Sequence, residues 1–229
     1  MRLLLVNPNT SVATTAAMVE IARREAAGGT TIDGLTAPSG APLITDEAAL
    51  EEAGRVVASL GPAILADGPD GVIVAAFGDP GLDALRTVLP MPVTGIAEAG
   101  MAEAAEGGRR FCVVTTTPDL KDAIERTARR YGHAESFAGV WLTPGEPAAL
   151  MKDPARLVEA LRDACLQAIR DADVAAIVIG GGPLAVAART LKDAVGVPLI
   201  EPVPRAVRLA LKRAARYRKP PTDLPETSP

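Results

Sequence analysis

Four short segments carry groups suited to holding a small anion or a carbonyl oxygen. They are Asn7-Pro8-Asn9-Thr10, Ala76-Phe77-Gly78-Asp79-Pro80, Thr115-Thr116-Thr117-Pro118 and Gly180-Gly181-Gly182-Pro183. Each follows an apolar, β-branched run, and each opens a helix-competent stretch. Asp79 and Thr117 stand just before prolines, and Thr10 or Ser11 precedes the first helical run. A side-chain oxygen there caps free N–H groups, and proline fits the first turn. Gly182-Pro183 repeats the pattern with a bare cap. Uncapped N–H groups and the helix dipole favour a negative ligand group at such junctions. None of the four segments contains lysine or arginine, and no GxxxxGK run is present. Gly180-Gly181-Gly182 also lacks the spacing of a dinucleotide fingerprint, so a polyphosphate ligand is disfavoured. A small carboxylate, imide or enolate fits better, held by Asn7, Asn9, Thr116, Thr117 and backbone amides.

Strands must position these junctions. Residues 3–6, 72–75, 93–96, 111–115, 174–179 and 198–200 predict strands, with weaker signals at 31–35 and 138–142. Their near-continuous apolar character suits parallel sheets buried on both faces. Helical patterns cover 14–27, 47–65, 120–131, 154–171 and 184–195. This alternation predicts an α/β fold with crossover connections. The four junctions then lie at the carboxyl ends of parallel strands, where such sheets bind ligands. The order strand, polar turn, second strand, turn recurs in the two halves of the chain, as two similar α/β units would require. The expected division is 1–97 with 205–219 as the first half, 98–204 as the second, and 220–229 as a disordered tail.

Composition narrows the function classes. The 229 residues have a net charge of −4 and 3% aromatic content, which argues against nucleic-acid binding and base stacking. One histidine and two cysteines cannot build a Cys/His zinc cluster, and no metal site is expected. The apolar run at 3–6 is too short for a signal segment, and none approaches a membrane span, so a cytoplasmic location without membrane contact is expected. The basic stretch 205–219 reads as a solvated helix face. Cys112 and Cys165 sit in apolar surroundings and read as buried structural thiols. His133 falls in a helix-to-strand connection and reads as a surface residue.

The sequence resembles the Asp/Glu racemase superfamily, and most closely its hydantoin/allantoin racemase branch. The matching pieces are Asn7-Pro8-Asn9-Thr10-Ser11, Ala76-Phe77-Gly78-Asp79-Pro80-Gly81-Leu82-Asp83, Pro92-Val93-Thr94-Gly95-Ile96-Ala97-Glu98-Ala99 and Thr115-Thr116-Thr117-Pro118. The resemblance implies two flavodoxin-like halves with parallel sheets and a site in the cleft between them. It also implies no metal or cofactor, a small-molecule substrate, and a homo-oligomer. In that family two cysteines, one from each half, remove and return a proton beside a carbonyl.

This chain departs from that pattern. The resemblance puts the two family cysteines at Ala76 and Gly181, and neither residue can move a proton. Other candidates for acid and base work are Asp79, Glu98 and Glu201; the last two follow strand ends in the two halves. Asp79 also reads as a helix cap. Asn7, Asn9, Ala76, Phe77, Gly78, Thr116, Thr117, Gly181 and Gly182 are the expected substrate-binding residues. The expected function is cofactor-independent enolate or carbanion chemistry on a small carboxylate or cyclic ureide. Racemisation comes first, decarboxylation or another lyase step second, and ring-opening hydrolysis with Glu98 or Glu201 as base third. A non-catalytic anion-binding protein is the contrasting reading.

Overall fold

The computed structural model describes residues 1–26, 28–191 and 194–218. The expected tail at 220–229 lies outside the described residues. The elements run β1 (Arg2–Asn7), α1 (Val12–Glu25), β2 (Thr31–Thr36), α2 (Glu47–Ser59), α3 (Gly61–Asp67), β3 (Gly71–Val74), α4 (Leu82–Val88), β4 (Val93–Gly95) and α5 (Ile96–Ala104). They continue with β5 (Phe111–Thr115), α6 (Lys121–Arg130), β6 (Phe137–Leu142), α7 (Pro147–Leu150), α8 (Pro154–Ala172), β7 (Ala176–Ile179), α9 (Ala185–Leu191), β8 (Leu199–Ile200) and α10 (Pro202–Arg218).

Two four-stranded sheets form, ordered β2-β1-β3-β4 and β6-β5-β7-β8. Every pairing is parallel, with Leu4 opposite Val72 in the first sheet and Val113 opposite Val178 in the second. The two halves therefore share one strand order, the doubly wound order of flavodoxin-like folds. In each, the order reverses between the first and third strands, so a crevice opens at their carboxyl ends. The strands β3, β5 and β7 are buried throughout, as central strands with helices on both faces must be. The weaker strand signals came from β2 and β6, each at one edge of its sheet and mostly only partly buried.

Each sheet is covered on both faces by apolar clusters. On one face of the first sheet, Leu3, Leu5 and Ile73 meet Met18 and Ala22 of α1 and Val203, Ala206 and Val207 of α10. The C-terminal helix thus packs back on the first sheet. The short helix α5 joins the halves: Ala97, Met101 and Ala104 pack with Phe111, Val113 and Val178 of the second sheet. The Met101 side chain is fully buried; truncating such a residue to alanine costs about 2–5 kcal/mol.

Several elements differ from expectation. The helix expected over 47–65 is two helices, because Pro62 lacks an N–H and cannot continue α2. The helices α5 and α7 were not foreseen, and α4 was foreseen only as a helix start after Asp79-Pro80. The helix α5 is buried on most sides and offers no polar stripe to mark its period. Ser11 caps α1, accepting from the Thr14 amide at 3.2 Å. Asp79 and Thr117, expected to cap the helices that follow them, do not. The helix α4 begins after Gly81 with no side-chain cap, and Thr117 makes no cap bond. No helix among the described residues is long and apolar enough to cross a membrane.

Candidate active site

The carboxyl ends of β1, β3, β5 and β7 meet around one small cavity of about 60 Å³. Asn9 comes from the β1 end and Ala75, Ala76 and Phe77 from β3; Thr115, Thr116 and Thr117 come from β5 and Gly180, Gly181 and Gly182 from β7. Both halves therefore contribute to one site. An apolar wall completes it: Leu43, Ile44, Leu120, Met151 and Leu184.

The polar side is pre-organised by buried hydrogen bonds. The Asn7 side chain is fully buried and does not line the cavity. Its amide donates to Asn9 Oδ1 at 2.8 Å and to Thr15 Oγ1 at 2.9 Å, and its Oδ1 accepts the Asn9 amide at 3.2 Å. Asn7 thus shapes the turn that presents Asn9. Across the cavity, the Thr115 hydroxyl donates to the Gly180 carbonyl at 2.8 Å and lies 3.1 Å from the Thr117 hydroxyl. This ties the β5 turn to the β7 turn. Burying such groups is favourable only when they are paired, so the pairs hold the loops in one geometry.

The three candidate carboxylates do not line this cavity. Glu98 is bound by both arms of Arg213, at 2.7 and 2.8 Å, and by Arg86 at 2.8 Å. Burial alone would raise its carboxyl, but the guanidinium groups of Arg213 and Arg86 outweigh this and hold it below the usual carboxylate range. Glu201 is paired with Arg189 at 2.9 Å. Both were expected to face the cleft as bases; arginines distant in sequence turn them elsewhere. Asp79 is buried with its carboxylate on the first turn of α5, accepting from the Ala97 and Glu98 amides at 2.8 Å each. The Tyr131 hydroxyl donates to it at 2.6 Å. Asp79 caps α5, not the helix that follows it. Gly78, another expected binding residue, turns the chain at φ 104° and lies outside the lining.

The thiols are remote from proton chemistry. Cys112 and Cys165 are buried in one apolar cluster of the second half. Burial pushes the Cys165 thiol up to about 12 and raises that of Cys112 as well. The His133 imidazole is lowered by partial burial and packs edge-on against Phe111 at 5.7 Å between ring centroids. Among the described residues, no group of three or more His, Cys, Asp or Glu side chains is placed to hold a metal ion.

Comparison with known proteins identifies the lineage. The model of the Asp/Glu/hydantoin racemase family matches residues 3–210. The chain belongs to that family. A hydantoin racemase of Paenarthrobacter aurescens is 31% identical over 96% of this chain and 98% of its own length. The structure of an allantoin racemase from Klebsiella pneumoniae superposes with a TM-score of 0.88 at 34% identity, covering 94% of this chain and 88% of the other. The allantoin racemase of Pseudomonas fluorescens also gives 0.88, at 30% identity over 97% and 98% of the two chains.

Within this racemase family, the cavity lies where the resemblance places the thiol pair, since Ala76 and Gly181 both line it. Asn9, Phe77, Thr116, Thr117 and Gly182, named from the sequence as substrate-binding candidates, also line it. The apolar wall went unread. Leu43 and Ile44 lie in the long connection between β2 and α2, and their one signal is an apolar pair within a polar loop. Met151 follows α7 and carries no local signal.

Proposed function

We propose that this racemase-family chain binds a small carboxylate or cyclic ureide in the inter-half cavity and stabilises its enolate or carbanion without a thiol pair. The observation that carries this reading is the convergence of Asn9, Thr116, Thr117 and the Gly180–Gly182 backbone from both halves on one largely apolar cavity. Hydroxyl and amide donors held at fixed positions in a dry site stabilise a developing oxyanion without reorganising. The family membership and the hydantoin and allantoin racemase relatives point to a ring or acid bearing a proton beside a carbonyl.

A second reading rests on a specific feature of the same walls. Among the described lining residues there is no Asp, Glu, His, Cys, Lys or Arg. Removing a proton from carbon needs a base, whereas losing CO2 from a malonate-type acid forms the enolate without one. Decarboxylation of such an acid, with protonation from water, is therefore the alternative. Ring opening with Glu98 or Glu201 as base is not supported, because arginines hold both carboxylates outside the lining.

Deuterium exchange separates the readings. The protein is incubated in D2O with 5-substituted hydantoins, allantoin and amino acids, and the α-proton is followed by NMR. Exchange above the protein-free rate supports isomerase chemistry. CO2 release from a 2-substituted malonate, without exchange on the hydantoins, supports the second reading. Thermal stabilisation by these compounds with neither reaction identifies a binding protein and overturns both.

A further inference from the structure

We infer that the hydrogen bond from the half-buried Tyr131 to the buried Asp79 locks the two halves together, and that these two residues are positioning residues for the cavity. The lock is read from the fold alone; its effect on a ligand rests on the function proposed above.

Asp79 belongs to the loop that supplies Ala76 and Phe77 to the cavity wall. The loop is a tight turn, with the Asp79 amide donating to the Ala76 carbonyl at 3.0 Å. Asp79 itself has φ 52°, a left-handed conformation uncommon for a residue with a Cβ. Such strain persists where surroundings over-determine it. Here the carboxylate is fixed by the Ala97 and Glu98 amides of α5 and by the Tyr131 hydroxyl. Any shift of Asp79 moves Ala76 and Phe77 with it.

Tyr131 is the other half's contribution. It ends α6, the helix that follows the Thr115–Thr117 turn and Leu120. Its side chain packs against an apolar cluster built on the second sheet and also against one built on the first. Two ion pairs run beside it from α6 to the first half: Arg126 to Glu47 of α2 at 2.7 Å, and Arg130 to Asp83 of α4 at 3.2 Å. Those pairs are exposed and screened, and exposed pairs contribute little. The Asp79–Tyr131 bond is the one member of the set withdrawn from solvent on one side, since Asp79 is buried. One end of α6 carries the Thr116–Thr117 wall and the other carries the lock. The bond therefore sets the spacing between the wall holding Ala76 and Phe77 and the wall holding Thr116 and Thr117.

The test uses Tyr131→Phe in the full chain, which removes one hydroxyl and keeps the ring. Arg126→Gln serves as a control on the same face. Amide protection is measured by NMR at pH 7. We expect Tyr131→Phe to lose tenfold or more protection at Ala97, Glu98 and residues 76–79, with β1 and β5 unchanged, and Arg126→Gln to resemble wild type. Unchanged protection at Ala97 and Glu98, or a uniform loss throughout, overturns the lock. Asp79→Asn is read the same way should Tyr131→Phe fold poorly. Both variants are then titrated with 5-methylhydantoin, following amide shifts at Ala76 and Thr116. The expected result is a Kd about tenfold weaker for Tyr131→Phe and unchanged for Arg126→Gln; an unchanged Kd in Tyr131→Phe overturns the positioning role. If wild-type protein binds no hydantoin or small carboxylate, the proposed function falls and the positioning role with it, while amide protection still decides the lock.

Discussion

Glu98 receives both guanidinium nitrogens of Arg213, at 2.7 and 2.8 Å, in a two-pronged ion pair at the N-terminus of α5. A carboxylate held this way is a structural anion. It also accepts the Gly95 amide at 3.3 Å, reaching back to cap its own helix.

Replacing Glu98 by Gln should therefore act on stability. Breaking one side of a partly buried charge pair strands Arg86 and Arg213, at a cost of about 1–3 kcal/mol. Because the arginines hold the Glu98 carboxyl low, its contribution is present above its ordinary value of 4.5 and fades as pH falls through the lowered one. Urea unfolding at pH 3 and pH 7 measures this. Hydantoin binding should stay at the wild-type level, and a lost affinity would return Glu98 to the site.

Asp79 has the opposite pH dependence. Burial pushes its carboxyl up to about 6 from 3.8, against the bonds from Tyr131, Ala97 and Glu98. The folded state then holds the proton more tightly than the unfolded chain. Its contribution to stability is full below 3.8 and is lost as pH rises through about 6. Relative to Asp79→Asn, wild-type protein should lose about 2 kcal/mol between pH 4.5 and 7.5. A difference that does not change with pH would show that Asp79 titrates normally.

Gly95→Ala should be costly for a steric reason. A Cβ at this position would sit 2.1 Å from the Asp79 carboxyl carbon, closer than any real contact. The carboxylate would be forced off the α5 amides, with an expected loss of about 2–3 kcal/mol, as for overpacked cores. Thermal melts at pH 7 test this, and a wild-type Tm would mean that the carboxylate can move aside freely.

Adjacent threonines should separate binding from folding. Thr115 supports the cavity by donating to the Gly180 carbonyl, so Thr115→Val should cost about 1–2 kcal/mol of stability. Thr116→Val should leave stability nearly intact and weaken binding of a hydantoin or small carboxylate by about tenfold, the loss of one hydrogen bond of about 1.4 kcal/mol. Calorimetric titration of the two variants provides the check.

The cavity geometry admits thiols at the two positions to which the resemblance assigns them. Gly181 has extended backbone, φ 168°, and an added Cβ would meet only the flexible Leu184 side chain, at 3.1 Å. The double variant Ala76→Cys, Gly181→Cys should exchange the α-proton of a hydantoin in D2O at least tenfold faster than the parent. Equal rates would show that the two positions do not flank the reacting carbon.

Strand ends were legible in the sequence because they depend on local pattern. Apolar β-branched runs buried on both faces, each stopped by a polar or glycine turn, determine parallel strands, and parallel strands place their carboxyl ends together. Asn9 and Ala76 could thus be placed at the strand ends of one half and Thr116 and Gly181 at those of the other; that the two halves share one cavity came only as what the family resemblance implied. The role of each carboxylate was not legible. Glu98 and Glu201 both follow strand ends, and only the fold brings Arg213 from 115 positions away and Arg189 from 12 to neutralise them. Asp79 likewise meets Tyr131 across 52 positions. A buried charge takes whichever partner long-range packing delivers, and that choice leaves no trace in local spacing.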